Sequence, residues 1–299
     1  MHPPDQALAV SAAGTVYRVN RVWTKYNLAM HAADGAAPGG TTIGPPLPKG
    51  VGAPKMALSP DGKQLYLVGL QAGSDYYKPA PGHAVWRVPL DPPGEPGPFV
   101  GDPAEKGGGE KRLDDPQGVA VDAEGRVYVA DCGNGRVAQF DPAGKLLAEV
   151  KVERPAGVAV NPKTGALYVL SRLPGAGGNR SFQLARYDGI RAAAPAAAMQ
   201  VKSGHADGRV RAADCGGPRP VVWLSSSHGY CPFRLLRIED LGGQFGDARE
   251  IDAGGGAGNM PSLGVDPETE DLFVRAGWYK WLVFRGGTGR PLGGFIRFR

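Results

Sequence analysis

Apolar and polar residues alternate along most of the chain, and one pattern of alternation recurs along its length. The clearest copy is PQGVAVDAEGRVYVADCGNGRVAQF at 116–140, where a proline precedes three apolar alternations separated by an Asp/Gly turn and a Gly/Asn turn. Weaker copies lie at 54–69, 155–170 and 260–275. Alternation with a period of two predicts β-strands. The pattern recurs about every 40–60 residues, a length that can form one small sheet. A fixed period of this size predicts a repeat architecture.

Six segments align as the second strand of a repeat, and each has an aromatic residue at its third position. They are TVYRVN at 15–20, QLYLVG at 64–69, RVYVAD at 126–131, ALYVLS at 166–171, VVWLSS at 221–226 and DLFVRA at 271–276. The aromatic residues are Tyr17, Tyr66, Tyr128, Tyr168, Trp223 and Phe273. Each segment follows a strand and a short turn, and a third strand comes after it. The pattern therefore predicts an all-β, six-bladed β-propeller of four-stranded antiparallel blades.

We expect a single propeller domain over 1–299, with blades at roughly 5–50, 51–101, 113–153, 154–202, 205–253 and 259–299. The best helical candidate, 190–199, is interrupted by Pro195 and is interpreted as an insertion or a short helical turn. The pattern places an inner strand first, at 7–10, and an outer strand last, at 295–298. Either the ring closes by face packing alone or the chain is a domain of a longer polypeptide or assembly.

Composition and charge narrow the functional classes only slightly. The net charge of +5 is scattered along 299 residues, so a nucleic-acid partner is permitted but not required. No apolar run reaches about 18 residues, so no membrane span is predicted. The first residues lack the features of a signal peptide. The compartment is left open, with an extracellular or periplasmic location favoured if an export signal has been removed.

The chain has three cysteines, Cys132, Cys215 and Cys231, and an odd number excludes a fully paired set. A predicted strand lies between Cys215 and Cys231 and would separate them by roughly 20 Å. That distance is too long for a disulfide, so free thiols are expected.

The segment PQGVAVDAEGRVYVADCGNGRVAQFD at 116–141 resembles an NHL repeat, the unit of a class of propellers that are often six-bladed. The resemblance is sharpest in the third unit, weakest in the first and fifth, and covers nearly the whole chain at the level of pattern. It implies a six-bladed propeller. Because some NHL propellers bind single-stranded RNA on a basic face, it also makes RNA a possible ligand.

Aromatic and basic residues recur in the loops between second and third strands, which share one face of a propeller with the connections between blades. Aromatic rings beside cations suit sugars, nucleobases and anionic groups. Each of these residues could instead pack between blades, and for Asn134 and Arg136 a structural role is favoured. The residues predicted to form a ligand-binding face are Arg21, Trp23, Tyr26, Tyr76, Tyr77, Arg136, Arg172, Arg180, His228, Tyr230, Arg275, Trp278, Tyr279 and Lys280.

No metal, other cofactor or catalytic residue is predicted. Some similar propellers are lyases or hydrolases that hold a metal on the central axis with His, Asn, Asp or Glu from several inner strands. The corresponding positions here, after each recurring proline, are Lys55, Gln117, Ala156 and Ser262, none of which is a good soft or borderline ligand. Neither the axial Glu, Asn and Asp of gluconolactonase-like proteins nor the three-His site of amidating lyases is visible.

From the sequence we expect a non-enzymatic module that binds a glycan, a peptide segment or a partner protein on its loop face. Two alternatives stay open: a propeller lyase or hydrolase with its site at the central channel, and single-stranded RNA binding on the basic loop face. Titratable side chains that converge on the axis would favour the enzyme. A dispersed arrangement around the rim would favour the binding module.

Overall fold

A computed structural model gives the fold and describes most of the chain. The described residues are 7–22, 25–32, 41–47, 54–70, 82–174, 181–202, 208–213, 219–226, 234–251, 262–276, 280–285 and 289–292. In this part of the chain the regular structure is entirely β-strand, and no helix is long and apolar enough to cross a membrane.

The strands form six antiparallel sheets of consecutive strands, which we call blades 1 to 6. Blade 1 contains β1 (Leu8–Val10), β2 (Val16–Val22), β3 (Lys25–His31) and β4 (Thr41–Leu47). Blade 2 contains β5 (Lys55–Leu58), β6 (Gln64–Val68), β7 (His83–Pro89) and β8 (Gly97–Asp102). Blade 3 contains β9 (Pro116–Val121), β10 (Val127–Asp131), β11 (Arg136–Phe140) and β12 (Leu146–Lys151).

The second half of the chain repeats this arrangement. Blade 4 contains β13 (Pro155–Val160), β14 (Leu167–Arg172), β15 (Ser181–Tyr187) and β16 (Ala197–Lys202). Blade 5 contains β17 (Gly208–Ala213), β18 (Val221–Ser226), β19 (Arg234–Glu239) and β20 (Arg249–Ile251). Blade 6 has three described strands, β21 (Ser262–Val265), β22 (Leu272–Ala276) and β23 (Lys280–Phe284).

The first strand of each blade lies at the centre of the molecule, and these inner strands contact one another in a closed ring. In order around the axis they are β1, β5, β9, β13, β17 and β21, and β21 returns to contact β1. At this junction Leu8 and Val10 pack against Phe273. The ring confirms the predicted six-bladed all-β propeller. The segment at 295–298, expected to be the last outer strand, lies outside the described residues.

Neighbouring blades pack face to face through apolar side chains. In β10, Tyr128 and Ala130 pack toward blade 4, whereas Val127 and Val129 pack toward blade 2. Successive side chains of a strand point to opposite faces, so a blade between two others must be apolar on both. This is why the first four residues of β10, 127–130, are all buried.

The Pro-x-Gly sequence that begins the repeats at 116 and 155 allows two inner strands to approach closely. A Cβ atom on Gly118 would lie 2.8 Å from the Gly157 Cα and 2.9 Å from the Val158 backbone nitrogen. Both contacts are with backbone, which a side-chain rotation cannot relieve. Glycine at this position therefore sets the spacing between blades 3 and 4 at the hub.

The recurring aromatic residue of the second strand is buried in blades 1 to 5 and partly buried in blade 6, and in two blades it anchors a carboxylate. The Tyr128 hydroxyl donates to Asp122 Oδ2 at 2.9 Å, and the Tyr168 hydroxyl donates to Asp240 Oδ2 at 2.6 Å. The second contact joins blade 4 to blade 5. Burial, and then the Asp122 carboxylate, raise the pKa of Tyr128 to about 12.

The structure also bears on the helical candidate at 190–199 and on the cysteines. The segment 190–199 is divided between a turn and a strand, since β16 begins at Ala197. A strand satisfies the backbone of these alanines against β15, which a short turn of helix would leave unpaired. Cys132 is a free thiol, as expected, while Cys215 and Cys231 lie outside the described residues.

We expect Gly118→Ala to lower the free energy of unfolding by about 1–3 kcal/mol, because the added methyl group forces two inner strands apart. Gly97→Ala is the matched control. A Cβ atom there meets no described atom within 4 Å, so its effect is expected to stay within about 0.5 kcal/mol. Urea unfolding of the two variants measures the difference, and equal stabilities would show that the hub tolerates a side chain.

The raised pKa of Tyr128 predicts a loss of stability in alkali. Its folded pKa of about 12 is above its unfolded value of about 10, so its contribution is complete below pH 10 and is lost as the pH rises through 12. Absorbance titration of the phenolate is expected to show a late tyrosine that Tyr128→Phe removes. If that substitution instead removes a tyrosine that ionises near pH 10, the hydroxyl is not held as described.

Candidate functional site

A connected set of polar side chains lies on the face of the propeller where the inner strands begin. Blades 2, 3 and 4 supply it. We call it the channel-mouth network, and its members are Lys55, His83, Asp114, Asp115, Gln117, Cys132 and Arg172.

Lys55, the first residue of β5, joins three consecutive blades at the axis. Its Nζ atom donates to the backbone carbonyl oxygen of Gln117 at 2.6 Å and to that of Ala156 at 2.7 Å. The two acceptors stand at the same position in the inner strands of blades 3 and 4. The side chain is buried, with 6% of its surface exposed, so the ammonium is held inside the protein by main-chain oxygens.

Gln117 connects an acidic side chain, Asp115, to a basic one, Arg172, at the same end of the channel. Its Nε2 atom donates to Asp115 Oδ1 at 2.6 Å, and its Oε1 atom accepts from Arg172 Nη2 at 3.1 Å. Arg172, at the end of β14, also places Nη1 3.9 Å from the Cys132 sulfur. Gln117, Arg172 and Asp115 are all half-buried, so each reaches solvent at the mouth.

Asp115 has a left-handed backbone, with φ of 51°, directly before Pro116. Arg154 has φ of 49° at the equivalent position before Pro155. This conformation is uncommon for residues other than glycine, and a following proline restricts it further. Because such outliers concentrate at functional sites, their occurrence at the same position of two successive connections supports a site at the mouth.

His83 and Asp114 lie next to the backbone of Asp115. The backbone N–H of Asp115 donates to His83 Nδ1 at 3.2 Å, which assigns the acceptor form to that ring nitrogen. Asp114 Oδ1 lies 3.3 Å from the same nitrogen, and this contact is an ion pair only when the ring is protonated. The Asp114 backbone is held in turn by Asp131 Oδ1 at 2.8 Å.

The electrostatics of Cys132 argue against a thiolate nucleophile. Burial raises the pKa of its thiol, and the positive charges of Arg172, Arg154 and Lys55 oppose that shift without reversing it. Nucleophilic cysteines have lowered pKa values. Cys132 is therefore a neutral neighbour of Arg172.

A divalent metal does not fit the axial position of this propeller. The carbonyl oxygens of Gln117 and Ala156 are the kind of hard oxygen that such ions use, but they already bind the Lys55 ammonium. No three of the described His, Cys, Asp and Glu residues are grouped as a metal site would need.

The opposite end of the axis opens as a cavity of about 680 Å³. Its wall consists largely of apolar inner-strand residues such as Val119 and Val158, and the first turns of the blades form its rim. The carboxylate of Asp122 on that rim accepts from the backbone N–H groups of Glu124 and Arg126. This arrangement stabilises the turn and is structural.

Three of the fourteen residues predicted to form a ligand-binding face are fully described. Arg172 belongs to the channel-mouth network. Tyr26 is 1% exposed and packs in the core between blades 1 and 2, away from the surface.

Arg136 lies inside the protein and pairs with Asp131 at 2.9 Å and Glu149 at 2.7 Å. It also donates to the carbonyl oxygens of Gly109 and Arg112, in the connection from blade 2. Asn134 donates to Gly107 O and Asp131 Oδ2. These contacts are those of a structural brace.

For the remaining predicted residues the structure describes the backbone alone or nothing. Arg21, Arg275 and Lys280 lie in β2, β22 and β23, without a described side chain. The others lie outside the described residues: Trp23, Tyr76, Tyr77, Arg180, His228, Tyr230, Trp278 and Tyr279.

Sequence reasoning missed most of the channel-mouth network. Lys55 and Gln117 were weighed only as metal ligands and set aside. His83 was set aside in the same way, since no two of the five histidines have a ligand-like spacing, and no role was predicted for Asp114 or Asp115. The available signal was positional: Lys55 and Gln117 follow the recurring proline that begins an inner strand, and Asp115 precedes it.

Comparison with known proteins gives one family match and several similar folds. The model of the SMP-30/gluconolactonase/LRE-like region matches residues 54–172, which is less than half of the 299-residue chain. No curated protein matches the chain.

Among solved structures, the PQQ-bound aldose sugar dehydrogenase from Streptomyces coelicolor has a TM-score of 0.58 at 14% identity, covering 97% of this chain and 92% of that one. The gluconolactonase XC5397 from Xanthomonas campestris has a TM-score of 0.55 at 16% identity, covering 89% and 83%. Virginiamycin B lyase from Staphylococcus aureus has a TM-score of 0.54 at 13% identity, covering 100% and 87%. At these identities the likeness describes the fold.

The prediction of a non-enzymatic binding module is wrong. The match over 54–172 is to a region named after an enzyme, gluconolactonase. It favours the alternative of a lyase or hydrolase with its site at the central channel. Sequence reasoning failed here because it sought metal ligands as the mark of an enzyme, and the channel mouth has an ammonium in their place.

The buried position of Arg136 predicts a large effect of its removal. We expect Arg136→Met to lower the free energy of unfolding by about 3–5 kcal/mol, because Asp131 is left buried without its cation. In the control, Arg234→Met removes an exposed pair with Glu250 and is expected to cost less than about 1 kcal/mol. Urea unfolding compares them, and a small loss for Arg136→Met would contradict a bracing role.

Proposed function

We propose that the protein is a hydrolase or lyase whose site lies at the channel mouth formed by blades 2, 3 and 4. One observation carries this proposal. The stretch that matches the SMP-30/gluconolactonase/LRE-like model, 54–172, begins one residue before Lys55 and ends at Arg172. It therefore contains every member of the channel-mouth network, which joins residues far apart in sequence at one end of the axis.

The arrangement suits a substrate with a carbonyl group. Arg172 offers a planar set of N–H donors at the half-exposed edge of the network, oriented by Gln117. The buried Lys55 ammonium adds a fixed positive charge next to Gln117. Donors and charges that are already in place stabilise the negative oxygen of a tetrahedral intermediate, because they need not reorganise when it forms.

Asp115 is our candidate for the general base. Gln117 and the backbone contact with His83 fix it, and its left-handed backbone is the strained feature of the site. In hydrolysis Asp115 takes a proton from water, whose oxygen attacks the carbonyl carbon while Arg172 binds the oxygen that becomes negative. The carbonyl then re-forms, the ester C–O bond breaks, and the leaving alkoxide takes the proton from Asp115.

We infer that the substrate is an ester, and that cyclic esters (lactones) are preferred to acyclic ones. The name of the matched model and the gluconolactonase with a similar fold support this choice. We also infer that the repeats are of NHL type and that the ring is a single domain, on the strength of the 116–141 pattern and the closed set of inner strands.

The test is hydrolysis of δ-gluconolactone, simple aliphatic lactones and acyclic esters, followed by titration of the acid released at constant pH. Relative to the unsubstituted protein, we expect Arg172→Met to lower kcat/KM about 10²–10³-fold. Asp115→Asn is expected to lower it about 10²–10⁴-fold.

The controls make the same chemical changes on the opposite face, in turns that connect third and fourth strands. They are Arg191→Met and Asp247→Asn, both at exposed positions, and neither is expected to change kcat/KM. The proposal of an ester hydrolase fails if no lactone or ester is hydrolysed above the uncatalysed rate. It also fails if the controls lose as much activity as the variants at the mouth.

A further inference from the structure

We propose that the axial cation of this propeller is the Lys55 ammonium, and that it excludes divalent metal ions from the channel mouth. The inference concerns the site of the proposed function, but its test measures metal binding and does not depend on catalysis. It follows from the position of Lys55 Nζ, from the oxygens around it and from the neighbouring charges.

The Lys55 ammonium is bound by the same kind of oxygen atoms that a metal ion at this position would use. Nζ lies 2.6 Å from the Gln117 carbonyl oxygen and 2.7 Å from that of Ala156, in two neighbouring inner strands. Backbone carbonyl oxygens are also ligands for Ca²⁺. Since these two already accept hydrogen bonds from Nζ, a metal ion could use them only by displacing the ammonium.

The charges around this position act against a second cation. Arg172 is joined to Gln117, whose own carbonyl binds Lys55, and its guanidinium stands at the same mouth. Like charges repel more strongly where water is scarce, and Lys55 is 6% exposed. The Asp115 carboxylate is tied to the same glutamine, because Gln117 Nε2 donates to its Oδ1 atom.

Other described groups do not supply a metal site nearby. His83 Nδ1 accepts the Asp115 backbone N–H, and Asp131 Oδ2 binds Arg136 and Asn134. These acids and this histidine are therefore used within the protein. The positive charge of the mouth is then part of the polypeptide, and its strength does not vary with the supply of a metal.

Replacing Lys55 with glutamate should convert the position into a cation site. A glutamate oxygen stands about one bond short of the place where lysine has Nζ. A Ca²⁺ ion at about 2.3–2.6 Å from that oxygen would lie close to the present Nζ position, beside the two carbonyl oxygens. The substitution thus removes the excluding charge and adds a ligand in one step.

The experiment compares the unsubstituted protein with Lys55→Glu, Lys55→Met and Lys145→Glu. Calcium chloride is titrated calorimetrically into protein dialysed against EDTA, and Tm is recorded with and without the ion. We expect one Ca²⁺ per chain and a higher Tm only for Lys55→Glu. Lys55→Met removes the charge without adding a ligand. Lys145→Glu makes the same charge change at an exposed position on the opposite face.

The inference is overturned if the unsubstituted protein binds Ca²⁺ as Lys55→Glu does, or if Lys55→Glu gains no site. A second measurement needs no variant: elemental analysis of the purified protein is expected to find no stoichiometric divalent metal, and EDTA is expected to leave Tm unchanged. A stoichiometric metal whose removal lowers Tm would also overturn it. If Lys55→Glu gains Ca²⁺ while no ester is hydrolysed, the proposed function fails and the axial ammonium stands.

Discussion

Face-to-face packing between neighbouring blades is the interaction on which the rest of the structure depends. Each apolar core cluster draws its side chains from two adjacent sheets, from blades 1 and 2 around to the contact of Phe273 with Leu8. A single blade has nothing else to cover its two faces, so none is stable without its neighbours. The apolar strand segments in the sequence follow from this requirement, because both faces of a strand such as β10 pack against a neighbouring blade.

The same packing creates the site. When the blades are pressed together, the beginnings of their inner strands meet around the axis, and Gly118 allows the backbones of blades 3 and 4 to come close enough to present their carbonyl oxygens side by side. Lys55 then reaches both oxygens from blade 2. The polar chemistry at the mouth is thus a consequence of an apolar assembly, and its position is as fixed as the ring.

The fold could be predicted from the sequence because its cause is local and repeated: six second strands, each with an aromatic residue and a turn before it. The contacts of the site could not be predicted. The recurring proline marks the positions of Lys55 and Gln117, but the partners of Lys55 are main-chain oxygens 62 and 101 residues away, which no residue type indicates. The left-handed backbone of Asp115 is equally hidden, since an aspartate before a proline usually indicates an extended residue. Expecting side-chain metal ligands on the axis therefore led to the wrong functional class.

The strained residues before Pro116 and Pro155 lie in the connections between blades, and this limits how the chain could be reordered. A circular permutant with new termini between Asp115 and Pro116 would release the left-handed conformation and detach Asp115 from His83. New termini in the exposed turn near Asp247, on the far side of the ring, would leave those contacts in place. Although the six blades look interchangeable, the order of blades 2, 3 and 4 is the part of the ring that a rearranged gene would have to keep uncut.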